Sequence, residues 1–362
     1  MTSDATPAQN AQPRILPRMV PEGRVPLAAF EGTAYECGQQ FAEYTLEHYP
    51  GYRRRLDQAC LWESQMTPTA RKLIDKHAPH IPEVIRGLVE TCGPPEASVG
   101  AEGVWGCTSF GLSGQVTLDS HPISGGTRDV HKDKAFIHIV LRMRIKDAPT
   151  ILVHTYPGDI LGLDGFWSTG TSIFSNSLYS RQEATGGLTS AQWAFVALAG
   201  RSAEAAAELA SAHGIRNSGN CLVSDADGKS VSVEFNAGGV GLVWAKGGIA
   251  THANHPEGAQ TAPFEIEDLS GEEMVCDDLE DSRVRMHGLW SQFYAERGRL
   301  TAQKVMQILA DHTHYPKGVC SHIHNDDPDR GTTAAIVAEP TRGLLHATRG
   351  NPCCNWPTTF EM

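Results

Sequence analysis

The sequence predicts an α+β fold on three observations: helical periodicity before Cys107, an abrupt change of composition at that residue, and a succession of strand-like runs after it. From Ala34 to Tyr52, apolar or small residues fall at 34, 37, 38, 41, 45, 49 and 52, the spacing of one helical face, with Arg53, Arg54 and Arg55 in the last turn. A second helical pattern carries Ala70, Leu73, Ile74, Ile81, Val84, Ile85, Leu88 and Val89, and Pro79 and Pro82 should break or kink it. The segment from Cys92 to Gly106 holds four Gly and two Pro and reads as an exposed connection. Strand-like runs follow at 107–118, 136–145, 150–156, 171–175, 220–224, 230–235, 240–244, 333–337 and 343–347. Helical patterns interrupt them at 190–213, rich in Ala and Glu, and at 300–311, where Leu300, Val305, Ile308 and Leu309 share a face. The acidic run from Glu265 to Asp281 reads as a solvated loop, and there is no repeat of solenoid length.

Composition narrows the function classes. At 362 residues, 40% apolar and 20% charged, the chain has the profile of an ordinary globular protein with one large core or two modest ones. A net charge of -12 with no Lys/Arg stripe argues against a nucleic-acid partner. No window approaches the roughly 18 uninterrupted apolar residues of a membrane span, so a soluble protein is expected. Residues 1–25 are rich in Pro, Ala and Gln, lack the apolar centre of a secretory signal, and read as a disordered lead-in; a cytoplasmic location is the default expectation. Nine cysteines form an odd, scattered set without CxxC, which favours reduced thiols over a disulfide framework.

Trp105-Gly106-Cys107-Thr108-Ser109-Phe110 places a cysteine after a glycine at a loop-to-strand junction. That spacing alone also fits a buried structural cysteine. If the bond before Cys107 were cut, however, one residue would supply both a thiol and a free α-amine. Such an amine has an ordinary pKa of about 7.7–8.0 and accepts the thiol proton near neutral pH without a histidine.

Gly106-Cys107-Thr108-Ser109 resembles the cleavage site of the acyl-coenzyme A:6-aminopenicillanic acid acyltransferase family. Four further segments resemble that family in order: Glu31 to Gly38, Gly165 to Gly170 followed by Asn176, Thr251-His252-Ala253-Asn254-His255, and Asp311-His312 through Cys320-Ser321-His322. The resemblance implies an N-terminal nucleophile hydrolase fold of four αββα layers with two stacked antiparallel sheets. It implies self-cleavage into an α chain, helical over 26–106, and a catalytic β chain, 107–362, that stay associated. By motif, Asp129 would orient the new α-amine, and Asn254 and Asn176 would bind the oxyanion. Asp129 alone also fits a turn or a helix cap, Asn254 a surface turn, and Asn176 a strand end. The family usually has Asn-Trp before the aspartate, where this chain has Thr127-Arg128. Arg330 is a candidate for binding a substrate carboxylate, though it also fits a solvated loop arginine, and Arg128 is a further substrate-binding candidate.

His312, His314, Cys320, His322 and His324 invite a zinc reading, but the resembling loop needs no metal and no second ligand group is evident, so neither metal nor cofactor is expected. The function these residues predict is a self-processing cysteine hydrolase of a small N-acyl amide. Acyl-coenzyme A-dependent acyl transfer by the same acyl-enzyme, a zinc hydrolase, and a non-cleaving binding module are the alternatives. Oligomeric state is open.

Overall fold

The computed structural model describes residues 23–52, 59–93, 106–160, 164–180, 186–266, 279–325 and 328–362. Residues 1–22 of the expected lead-in over 1–25, the arginines at 53–55 and most of the connection before Gly106 lie outside the described residues.

The chain opens with strand β1 (Leu27–Gly32) and helix α1 (Ala34–His48). Thr33 caps this helix: its hydroxyl accepts from the Glu36 N–H at 3.2 Å, while the Glu36 carboxylate accepts from the Thr33 N–H at 2.8 Å. The Gly32-Thr33-Ala34-Tyr35-Glu36 segment is thus a capping box, a reciprocal arrangement that satisfies two otherwise orphaned donors. Helices α2 (Pro68–His77) and α3 (His80–Cys92) follow. The break falls at Ala78-Pro79, while Pro82 is tolerated in the first turn of α3, where a missing N–H costs nothing.

After the connection come β2 (Gly106–Leu112), β3 (Ile123–His131), β4 (Ile139–Ile145), β5 (Ile151–Thr155), β6 (Asp164–Trp167) and β7 (Ser172–Asn176). Helices α4 (Ser190–Ala199) and α5 (Ala203–His213) precede β8 (Gly219–Ser224), β9 (Ser230–Asn236), β10 (Gly239–Trp244) and β11 (Ile249–His252). Helices α6 (Leu279–Ala295) and α7 (Ala302–Leu309) precede β12 (Arg330–Glu339), β13 (Leu344–Ala347) and β14 (Thr358–Glu361).

The strands form an eight-stranded sheet, β1-β4-β5-β6-β7-β8-β9-β10, and a six-stranded sheet, β11-β2-β3-β12-β13-β14. Among the described residues, every pairing between these strands is antiparallel except β1 with β4. Three cores fix the layer order. One joins α1 to α5 to the outer face of the larger sheet through Phe41, Ile74, Val84, Trp167, Trp193 and Val233. A second joins α6 and α7 to the outer face of the smaller sheet through Phe110, Leu289, Phe293 and Val305. The third lies between the sheets, where Val140, Leu152, Phe166 and Phe174 meet Ala334, Ile336, Leu345 and Phe360. This is the α+β, αββα layering that the resemblance implied.

Several local expectations are corrected. Among the described residues before Gly106, helices dominate as expected, and β1 adds a strand the sequence reading did not include, at the edge of the larger sheet beside β4. Val25, inside the expected lead-in, is buried between the sheets. The supposed solvated acidic loop ends inside α6, where Asp281 is buried; residues 267–278 lie outside the described set. Strand β3 is absent from the expected strand runs, yet it is an interior strand of the smaller sheet. Both of its glycines are required by close approach: a Cβ at Gly126 would stand 2.2 Å from the Thr108 carbonyl oxygen, and one at Gly125 would stand 2.2 Å from that of Ile336. Backbone atoms of paired strands cannot move aside without breaking the ladder. Gly126→Ala should therefore lower stability by about 2 kcal/mol or more, read as a fall in the urea midpoint; an unchanged midpoint would show that the sheet relaxes around the methyl group.

Candidate active site

Cys107 is the second residue of β2, a fully buried strand in the smaller sheet, and its register places it opposite Arg128 on β3. Gly106 stands opposite Asp129. Because side chains alternate across a strand, Arg128 shares the face of Cys107 and Asp129 the face of Gly106. Arg128 and Asp129, adjacent in sequence, therefore face two different environments.

On the inter-sheet face, Arg128 Nη1 donates to Cys107 Sγ at 3.2 Å and to the Ser175 carbonyl at 2.6 Å. Its Nη2 donates to Ser175 Oγ at 3.1 Å, and Nε and Nη2 together grip the Asp164 carboxylate. Burial works against both charges of this pair, but the mutual attraction and bidentate geometry hold Arg128 firmly protonated. Burial raises the pKa of the Cys107 thiol; Arg128 opposes the rise and Asp129 adds to it. The sulfur thus sits beside the Arg128 cation.

On the opposite face the centre is Arg285, 1% exposed in α6. Its Nη1 donates to the Cys107 carbonyl at 2.7 Å, its Nη2 to Asn254 Oδ1 at 2.8 Å, and its Nε to Asp281 at 2.8 Å, one helical turn earlier. Asp129 Oδ2 lies 3.9 Å from Arg285 Nη1, and Asp129 Oδ1 accepts from the Thr332 hydroxyl at 2.6 Å.

Asn254 is fixed on every side. Its N–H donates to Ser282 Oγ at 2.8 Å, its carbonyl accepts from Tyr179 N–H at 2.7 Å, and its Nδ2 donates to the Ser177 carbonyl at 2.9 Å. Its Oδ1 accepts from the backbone N–H of Cys107 at 3.1 Å. The expected oxyanion donor thus presents its acceptor to the nitrogen that would become the α-amine. Asn176 Nδ2 donates to Ser109 Oγ at 2.9 Å and to Asn220 at 3.5 Å, so its amide is engaged one residue pair along β2 from the sulfur. Arg330 stands opposite His131, displaced along β3 from the Arg128 position that faces Cys107. The structure therefore gathers Gly106, Cys107, Arg128, Asp129 and Asn254, keeps Asn176 nearby, and sets Arg330 apart.

Sequence reading missed Arg285, Asp281, Asp164 and Thr332. The one available signal was Asp281 and Arg285 at a helical i,i+4 spacing, masked by the acidic composition around them. The histidine cluster also differs from expectation: His312, Cys320 and His322 converge with Cys353, while His314 and His324 stay outside. A cleft of about 440 Å³ along α6, lined by Glu280, Arg283, His287 and His314 among others, does not include Cys107. Cys107 itself is only 2% exposed.

The turn carrying Asn254 rests on a buried pair: His252 Nε2 meets Glu234 at 2.7 Å, and His255 Nδ1 meets Ser282 Oγ at 2.9 Å. Burial disfavours the His252 cation, but Glu234 overrides it and raises the pKa above its ordinary value; burial also disfavours the Glu234 charge, yet His252 and Thr261 bring its pKa below the usual range. A raised imidazole pKa stabilises fully below about pH 6.5 and fades as pH rises through the folded-state value. The lowered carboxyl acts in the opposite sense, its contribution fading as pH falls below about 4.3. The stability advantage of the parent over His252→Gln should therefore peak at about pH 5–6 and shrink toward pH 9; denaturant midpoints across pH would check this, and an advantage that grows with pH would contradict it.

No family model matches the chain, and no curated protein matches it. Among solved structures, it is similar to a conjugated bile acid hydrolase from Clostridium perfringens at 11% identity and TM-score 0.47, covering 71% of this chain and 97% of that one. A penicillin V acylase from Agrobacterium tumefaciens is similar at 14% identity and TM-score 0.43, over 71% of this chain and 86% of that one. A Caenorhabditis elegans ortholog of N-acylethanolamine-hydrolyzing acid amidase is similar at 12% identity and TM-score 0.41, over 65% and 93%. Likeness at this level transfers no activity.

Proposed function

We propose that this protein is a self-processing cysteine amide hydrolase, with Cys107 as its N-terminal nucleophile after cleavage of the Gly106–Cys107 bond. The observation that carries this reading is the grip on Cys107: its nitrogen on Asn254, its carbonyl on Arg285 and its sulfur beside Arg128. A structural cysteine needs none of these.

In processing, the Cys107 thiol attacks the Gly106 carbonyl carbon, its proton passes to the Cys107 nitrogen as the C–N bond breaks, and a thioester forms. Water then releases the Gly106 carboxylate and leaves a thiol and an α-amine on the same residue. Departure of the Gly106 carbonyl vacates the position a substrate acyl group needs. In turnover, the α-amine takes the thiol proton, the thiolate attacks an amide carbonyl, and the leaving amine departs protonated. Asn254 and Asp129 hold the ammonium, and Arg128 Nη1, already 3.2 Å from the sulfur, is placed to donate to the developing oxyanion. Water completes the cycle on a small N-acyl amide. An added amine competing for the acyl-enzyme would distinguish acyl transfer.

Under denaturing conditions the purified protein should give two masses meeting at Gly106 and Cys107, whereas Cys107→Ala should give one full-length mass. Asn254→Ala should slow processing on the order of 100-fold, because the Cys107 nitrogen loses the acceptor that positions it. One full-length mass in all three proteins would refute the proposal.

A further inference from the structure

The geometry points to a structural zinc site formed by His312, Cys320, His322 and Cys353, a site independent of the reading of Cys107. The four residues each offer a ligand atom, and these atoms all lie within 4.8 Å of one another. His312 Nε2 is 3.1 Å from His322 Nε2, Cys320 Sγ is 3.6 Å from the same nitrogen, and Cys353 Sγ is 3.4 Å from it. In a tetrahedron with metal–nitrogen bonds of about 2.0–2.1 Å and metal–sulfur bonds of about 2.3 Å, neighbouring ligand atoms stand about 3.3–3.8 Å apart.

Hydrogen bonding alone does not account for this convergence. A single imidazole nitrogen has one in-plane position, filled by either a hydrogen or a lone pair, so it can satisfy only one of the three groups crowded upon it. A cation at their common centre satisfies all of them. Two thiolates and two neutral imidazoles are the donor set that zinc favours among divalent ions, and two thiolates balance its charge. Asn351 Nδ2 points to Cys320 Sγ at 3.5 Å and donates to the Ser321 carbonyl at 2.7 Å, an outer hydrogen bond of the kind that steadies a metal thiolate. Exposed His312 and Cys353 give the ion a way in.

Four protein ligands close the coordination sphere, so the site is structural and offers no open position for a zinc-bound water. Its effect is to clip the loop from Asp311 to His322 onto the C-terminal turn around Cys353. That loop supports the candidate active site at two points: Ser321 N–H donates to Thr332 Oγ1 at 2.9 Å, beside Asp129, and Gly318 N–H donates to Asp281 at 3.1 Å, beside Arg285.

The test is metal content and cobalt substitution in the full-length protein. Protein purified from zinc-supplemented cells should retain about one zinc per chain through gel filtration, and chelation should lower Tm by roughly 5 °C or more. Cobalt(II) chloride added to the chelated protein should give thiolate-to-cobalt charge transfer in the near ultraviolet and tetrahedral bands in the red. Cys353→Ser should lose about half of the charge-transfer intensity, since one of two thiolates is gone, and His312→Ala should shift the red bands. Because both side chains are exposed, these variants should still fold. Substoichiometric metal that the variants do not alter, a cobalt spectrum without thiolate bands, or a Cys320–Cys353 disulfide found by mass would overturn the proposal.

Discussion

A guanidinium sealed from water must find protein acceptors for its N–H groups or impose a large desolvation cost, and Arg285 resolves this by tying four parts of the chain together. It holds Asp281 within its own helix, Asn254 on the turn after β11, the carbonyl of Cys107 on β2 and, at 3.9 Å, Asp129 on β3. Helix α6 is thereby locked in register against the smaller sheet. Asn254 has its oxygen turned toward Cys107 because two donors, Arg285 Nη2 and the Cys107 N–H, converge on it. Remove the cation and the asparagine loses its reason to present an acceptor to the Cys107 N–H.

The second cation works on the other side of the strand. Arg128 is neutralised by Asp164 across the gap between the sheets, yet leaves one nitrogen beside the Cys107 sulfur. This division lets one short strand carry a thiol environment on one face and a main-chain environment on the other. It also explains how the Thr127-Arg128 pair is accommodated: Thr127 bonds Thr108 across the ladder at 2.7 Å, and Arg128 alone reaches the sulfur.

Much of this was legible in the sequence where periodicity and local chemistry coincide. The helix from Ala34 was readable because a capping box and an apolar stripe agree, and most strands after Cys107 because they are β-branched and bounded by turns. Cys107, Asp129 and Asn254 were readable as candidates through their motifs. What escaped was set by tertiary packing. Strand β3 is glycine-rich because neighbouring backbones press on it, which gives it the composition of a loop. Arg285 is charged and buried, a combination that sequence pattern assigns to a surface. Cys353 joins His312 only through the fold, from far along the chain.

The central claim is that Cys107 carries both the thiol and the free amine, and a reagent that needs both on one carbon skeleton tests it most directly. Cyanobenzothiazole condenses with a 1,2-aminothiol and leaves no stable adduct on an internal cysteine. Applied to the unfolded protein and mapped by peptide mass, it should label one residue, Cys107, at the start of the fragment 107–362. An absence of label on Cys107, with a control N-terminal cysteine peptide fully labelled in the same tube, would contradict the account.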